Sequence, residues 1–369
     1  MHSRPLRIAV DGRLMYYRRA GISLYTRRLV QAMAALHDPQ CSLYILLDRR
    51  DEDTNWVPAN VALLRTVTPA HHAYEQLTLP VELAALSMRQ GPFQVVHFPD
   101  FIACRGRFHK VITIHDLYFM EYPEVMSLDA ARYYSRIRSS AQQAAHIIAV
   151  SNFTRQDVLR LMPGVAADKI SVVLEAADVD STGEPQTANT PTARDPYALF
   201  VGTFEPRKNL QTLLQALALT PPQLKLIIVG EAGWVENEPA RLAQALGLQD
   251  RVAFAGRVSD AELDELYRQA RVFVFPSLSE GFGLPVLEAM ARGVPVICSN
   301  AGALPEVTGD AALLHAPTDA PALAHHLNRL WFDEAVWTDY RGRSLQRAAQ
   351  FSWQHAAEQT LDIYKRQCR

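Results

Sequence analysis

The stretch VFVFPSLSEGFGLPVLEAM, residues 272–290, holds a strand, a glycine-rich turn and the start of a helix. VFVFPS (272–277) is short, β-branched and aromatic, and bounded by a turn, so it reads as a strand buried on both faces. Pro285 then stands where the first turn of a helix accepts it. A fully apolar strand feeding a helix is the unit of a parallel sheet covered on both sides. Working outward, the unit repeats. YALFVG (197–202), a helix at 209–219, KLIIVG (225–230), RVAFAG (251–256) and a helix at 260–270 precede it. PVICSN (295–300), AALLHA (311–316) and three helical stretches follow it.

A second set of alternating elements lies upstream. RIAV (7–10), an amphipathic segment at 23–36, CSLYILLD (41–48), VALLRTV (61–67), a helix near 74–88 and QVVHFP (94–99) open it. KVITIH (110–115), a helix over 128–145, HIIAVS (146–151), a helix from about 152 and KISVVL (169–174) complete it. Between the sets, STGEPQTANTPTARDP (181–196) carries three prolines and, besides them, only Ala188 and Ala193 as apolar side chains. Such a segment cannot join a core and reads as a linker. The expectation is an α/β protein of two Rossmann-like domains, 1–180 and 197–351, joined by 181–196.

Length and composition agree. At roughly 150 residues per domain, 369 residues suggest two domains. Thirty-seven basic against 39 acidic residues give a net charge of −2, which offers no reason to expect nucleic acid as a partner. Cys41, Cys104, Cys298 and Cys368 form no C-x-x-C pair and read as reduced thiols rather than a zinc site or disulfide frame. RIAV is too short for a signal peptide, and no run approaches the ~18 apolar residues of a membrane span. A cytoplasmic chain is expected, with peripheral membrane contact left open.

In open α/β sheets, ligands sit outside the carboxyl ends of the strands, so the loops there are where binding chemistry is expected. The first such loop lacks G-x-G-x-x-G, which counts against a nicotinamide dehydrogenase. Its Tyr16-Tyr17-Arg18-Arg19 cluster is either a solvated helix start or a loop facing phosphate or membrane. Gly21 is either a turn or a place where backbone amides approach an anion. In GTFEPRKN (202–209), Arg207 and Lys208 precede a helix with Asn209 as a plausible N-cap. A guanidinium fork and an ammonium suit phosphate oxygens. The Gly281 and Gly283 amides can face an anion at the next helix start. Glu280 and Glu288 stand eight residues apart, about 12 Å along a helix. That separation suits a ligand with hydroxyls at both ends and a diphosphate between, because a carboxylate accepts two hydrogen bonds from a vicinal diol. His115 ends the strand KVITIH, and Asp116 follows it. His71-His72 and His325-His326 are adjacent pairs without metal-ligand spacing.

EGFGLPVLE (280–288), with GTFEPRKN, AVSNFTRQDV (149–158) and GVPVICSNAGALPEVTGDAALL (293–314), resembles the signature of glycosyltransferase family 4. The resemblance runs from Asp11 to FSWQHAAEQTLDIY (351–364) and is nearest to bacterial mannosyltransferases of surface polysaccharides. It implies the GT-B fold, two Rossmann-like domains facing each other across a cleft, the first (1–180) on the acceptor side and the second (197–351) binding the nucleotide sugar, with a final helix (352–369) crossing back onto the first. By the same resemblance, Glu280 would hold donor-sugar hydroxyls and Glu288 the ribose. Lys208 and Arg207 would neutralise the diphosphate. The amides of Phe282, Gly283 and Leu284 would contact phosphate and sugar, and Gly21 would close over the phosphates. His115 would lie near donor sugar and acceptor, with Arg257 and Val258 at the base. Thr203 stands where many members carry an arginine, which leaves Arg207 or Lys208 to carry the leaving-group charge.

The implied activity is retaining transfer of a hexose from a nucleotide diphosphate sugar to a hydroxyl of a glycan or lipid-linked acceptor. GDP-mannose leads, with UDP- and dTDP-hexoses behind it. The leaving diphosphate can itself take the acceptor proton, which fits the lack of an obvious general base. No metal and no other cofactor is expected. A sugar-nucleotide epimerase of the same architecture and a degenerate sugar-nucleotide-binding protein are the alternatives.

Overall fold

The computed structural model describes residues 5–17, 21–72, 74–123, 128–178, 196–231 and 238–368. The chain divides into two compact units, 1–175 with 352–369, and 176–351. Apart from Pro196, the expected linker lies outside the described residues, as do Arg18 and Arg19.

The first unit contains β1 (Leu6–Asp11), β2 (Cys41–Asp48), β3 (Ala62–Thr66), β4 (Val95–Phe98), β5 (His109–Ile114), β6 (His146–Ala149) and β7 (Ile170–Val172). They form one sheet in the order β3-β2-β1-β4-β5-β6-β7, every pair parallel. The second unit contains β8 (Tyr197–Val201), β9 (Lys225–Val229), β10 (Val252–Gly256), β11 (Val272–Phe275), β12 (Val296–Ser299) and β13 (Ala312–His315). Their order, β10-β9-β8-β11-β12-β13, repeats the pattern, again all parallel. Parallel strands need helical crossovers that cover both faces, so the inner strands are apolar throughout. Every residue of β4, β6, β11 and β12 is buried.

In each sheet the chain starts at the centre, winds to one edge, then returns to the other side of its first strand. The crossovers at β1/β4 and β8/β11 therefore diverge, leaving a crevice at the carboxyl ends of those two strand pairs. This shared strand order explains why the halves resemble one another in pattern without sequence repetition.

Several elements differ from expectation. The helix expected over 128–145 is two, Leu128–Tyr134 and Ile137–Gln143. Between them the Ser135 hydroxyl donates back to the Arg132 carbonyl at 2.7 Å, a local bond that competes with the helix ladder. Helices at Glu238–Ala245 and Leu304–Thr308 were not expected. KISVVL pairs only over Ile170–Val172.

The final helix, Trp353–Gln367, packs within the first unit. Its Ala357, Leu361, Ile363 and Tyr364 share a core with Tyr25, Leu29 and Met33 of the helix Ile22–Ala35. The Tyr364 hydroxyl lies 2.6 Å from His97 Nδ1, and His97 Nε2 lies 2.7 Å from Thr113 Oγ1. Burial pushes His97 down to about 3, so the ring is neutral and this bonding is among uncharged groups. Lys365 pairs with Asp38 at 2.5 Å. Among the described residues, no helix is long and apolar enough to cross a membrane.

Candidate active site

The β8/β11 crevice gathers the loops that follow those strands. The Leu278 amide donates to the Arg207 carbonyl at 2.8 Å, tying one loop to the other. Asn209 reinforces the tie. Its side-chain amide donates to the carbonyls of Pro276, at 3.0 Å, and Pro317, at 2.7 Å. It occupies the N-cap position of the helix Leu210–Ala218 in a left-handed conformation (φ 55°), but its side chain caps no backbone amide. Its oxygen instead accepts from Thr212 Oγ1 at 2.8 Å. Asn209 thus works as a brace between loops rather than as the expected cap.

The brace brings Arg207 and Lys208 onto Glu280. Lys208 Nζ lies 2.7 Å from Glu280 Oε1, and Arg207 Nη1 lies 2.9 Å from Oε2. Arg207 also pairs with Glu205 at 2.8 Å and donates to the Ser279 carbonyl at 3.2 Å. The Lys208 ammonium sits 4.8 Å from the centre of the Phe275 ring. Lys208 and Glu280 are both buried. Burial raises the Glu280 carboxyl, but Arg207 and Lys208 outweigh it and hold the group below its ordinary value. Burial likewise pulls Lys208 down against the attraction of Glu280. Two cations, Arg207 and Lys208, face two carboxylates, Glu205 and Glu280, so the cluster is charge-balanced. Thr203, where the family's arginine is absent, is exposed.

Backbone geometry fixes Glu280. Its carbonyl accepts from the Ala303 amide at 2.8 Å. Gly302 (φ 63°) passes so close that a Cβ there would meet the Glu280 carbonyl oxygen at 2.4 Å. Gly283 (φ 107°) is the N-cap of the helix Leu284–Ala291, with Pro285 in its first turn. First-turn amides have no partner inside a helix, so those of Gly283 and Leu284 carry the positive end of its dipole. Phe282 is buried edge-on against Phe351, 6.0 Å between centroids, and Gly281 completes the turn.

Glu288 sits in the same helix in a different setting. It accepts from the Tyr267 hydroxyl at 3.0 Å, and burial raises it to about 7, with Tyr267 and Arg292 opposing. Arg292 bonds Asp264 at 2.8 Å and the Glu288 carbonyl at 3.0 Å, with its guanidinium 5.0 Å from the centre of the Tyr267 ring. The two glutamates therefore differ: Glu280 is held as an ion, whereas Glu288 titrates near neutrality.

The other candidates fall elsewhere. Arg257 is exposed and Val258 half-buried beyond the end of β10, the edge strand. Gly21 and His115 belong to the first unit. Gly21 (φ 58°) is the N-cap of the helix Ile22–Ala35, with open space where a Cβ would point. His115 Nδ1 lies 2.9 Å from Glu175 Oε1 and Nε2 lies 3.1 Å from the Pro99 carbonyl. Both partners present acceptor oxygens, a setting that favours the protonated ring. Burial lowers its pKa, but Glu175 more than restores it.

Sequence reasoning passed over Asn209 as a brace, Gly302, Tyr267 and Arg292. Arg292 had a signal, since it follows Glu288 at the i,i+4 spacing of one helix face. Tyr267 had none, because only the fold brings it to Glu288.

Residues 19–181 match the family described as Glycosyltransferase Family 4, and residues 185–348 match Glycosyl transferases group 1. The chain is 37% identical over 292 residues to O-antigen chain mannosyltransferase B of Escherichia coli, covering 76% of each protein. It is 30% identical over 247 residues to the serotype-specific mannosyltransferase WbdA of Escherichia coli, covering 63% of this chain and 30% of that longer protein. Sucrose-phosphate synthase from Thermosynechococcus elongatus shares the fold, with a TM-score of 0.73 at 25% identity over 98% of both chains.

Proposed function

This chain belongs to the family 4 glycosyltransferases, and we propose that it moves a mannosyl group from GDP-mannose to a hydroxyl of a glycan or lipid-linked acceptor, with retention at the anomeric carbon. Mannose is supported by the names of its relatives, O-antigen chain mannosyltransferase B and WbdA. The observation that carries the chemistry is the convergence of Arg207 and Lys208 on Glu280 beside a helix N-terminus.

A carboxylate offers about four lone-pair positions. Two are taken by the cations, so Glu280 keeps the capacity to accept from donor-sugar hydroxyls. The diphosphate enters as an additional anion, shared by Lys208, Arg207 and the amides of Phe282, Gly283 and Leu284. These groups are fixed before charge develops on the leaving group, the condition under which electrostatic stabilisation is most effective. The neutralising charge is supplied by the protein, so the reading requires neither metal nor cofactor. Glu288 accepts from the ribose, and Arg257 and Val258 contact the base through their backbone. The family resemblance also assigns Gly21 and His115 to the donor.

The test is a thermal-shift panel of GDP, UDP, dTDP and their hexoses, followed by transfer assays. A ligand at a hundred times its Kd stabilises the folded state by about 2.7 kcal/mol, and GDP-mannose should give the largest shift. A panel without any shift would overturn the donor assignment, and a shift with UDP alone would replace its base. Conversion of donor to an epimer without acceptor would overturn transfer.

A further inference from the structure

His115 is held from four directions, and one of its partners, Glu175, belongs to no motif of the sequence. Glu175 follows β7 and is the last residue of the first unit before the chain leaves it. Its side chain is only 3% exposed, and its carboxylate lies 2.9 Å from His115 Nδ1. The other ring nitrogen lies 3.1 Å from the Pro99 carbonyl. Tyr25, buried in the core, packs edge-on against the ring, 4.7 Å between centroids, and its hydroxyl is fixed 3.1 Å from Thr113 Oγ1. Thr154 Oγ1 donates to the His115 carbonyl at 3.2 Å. The histidine side chain nevertheless keeps 17% of its surface exposed, just past the carboxyl end of β5.

A buried ion pair is a poor way to stabilise a fold, because desolvating both partners offsets most of their attraction. A carboxylate behind a partly open histidine does what packing alone cannot: it fixes the orientation of the ring and the placement of its proton. Burial opposes a charge on His115, and Glu175 outweighs burial, with Asp100 and Asp116 adding smaller attractions. His97 of β4 is also near, but burial pushes it down to about 3 and leaves it neutral. Burial likewise raises the Tyr25 phenol and keeps it uncharged. Glu175 is thus the dominant charge acting on the ring.

We propose that Glu175 is the positioning residue of His115 in glycosyl transfer, locking the ring through Nδ1 and setting the protonation it carries during the reaction. The proposal rests on the glycosyl-transfer reading above and adds the group through which the first unit controls its histidine.

The test compares Glu175→Gln, which keeps the shape and removes the charge, with His115→Asn and the double variant, all in the full chain. Imidazole 15N resonances should show His115 titrating above 6.5 in wild type and at lower pH in Glu175→Gln. Transfer from GDP-mannose by Glu175→Gln should be slower by about ten- to a hundredfold. Donor KM and GDP binding should stay unchanged, a split that general loss of structure would not give. The wild-type kcat should fall as pH rises through the His115 titration, and in Glu175→Gln that fall should come at lower pH. On the His115→Asn background, Glu175→Gln should cost nothing further. An unmoved His115 titration, or an equal loss with and without His115, overturns the proposal. So does a His115→Asn variant that turns over like wild type. A wild type that transfers from no nucleotide sugar, with the titration still shifted by Glu175→Gln, overturns the transfer reading and leaves the hold of Glu175 on His115 standing.

Discussion

Glu288→Gln should make the ligand-free protein more stable at alkaline pH. Burial raises the Glu288 carboxyl from 4.5 to about 7. The folded state then keeps a proton that the unfolded chain releases, so stability falls as pH rises between those values and is constant above them. Going from 4.5 to about 7, at about 1.4 kcal/mol per pH unit, amounts to roughly 3–4 kcal/mol, of which about 3 is taken as recoverable. Glutamine keeps an acceptor for the Tyr267 hydroxyl without the ionisable group, so it should recover most of that cost. At 2–4 °C per kcal/mol for a unit of this size, the variant should melt roughly 6–12 °C above wild type at pH 8. At pH 5 the two should nearly coincide. The same substitution should weaken GDP binding about tenfold at pH 8, because the ribose diol loses its carboxylate. A melting difference independent of pH, or a less stable variant at pH 8, would refute the account of the site.

Lys208→Ala should lower turnover by about a hundredfold and also lower the melting temperature, since it breaks a buried pair with Glu280. Lys208→Ala/Glu280→Gln should recover part of the stability and none of the transfer, as read by melting curves and donor turnover side by side. Gly302→Ala should cost both stability and activity, because its Cβ would strike the Glu280 carbonyl oxygen at 2.4 Å; a variant with wild-type kcat would show that Glu280's backbone need not be fixed. Tyr364→Phe should destabilise the first unit by about 1–3 kcal/mol in urea unfolding, since it leaves buried His97 short of a partner, with donor affinity unchanged.

The architecture was legible because its signal is repeated and strong. Short apolar strands such as VFVF and VICS can only be covered on both faces. The residues of the β8 and β11 loops were legible for the same reason: strand ends are recognisable, and ligands gather beyond them. Less visible was pairing across loops. Nothing in RKN announces that Arg207 and Lys208 converge on one carboxylate, or that Asn209 braces two loops from a left-handed conformation. The break at Ser135 was hidden because a serine within a helical pattern gives little warning of a backward hydrogen bond. His71 lacks metal-ligand spacing, and only the sheet brings Asp100 beside it.

The first unit is built from two pieces of chain, 1–175 and 352–369, and this imposes an order on biosynthesis. All seven strands of its sheet leave the ribosome long before the helix that completes its core. At 5–20 residues per second, the intervening segment takes on the order of ten seconds or more to make. During that time the surface awaiting Tyr364, Leu361 and Ala357 stands open to solvent or to chaperones. The downstream unit can finish folding first, leaving the earlier-made one to close last.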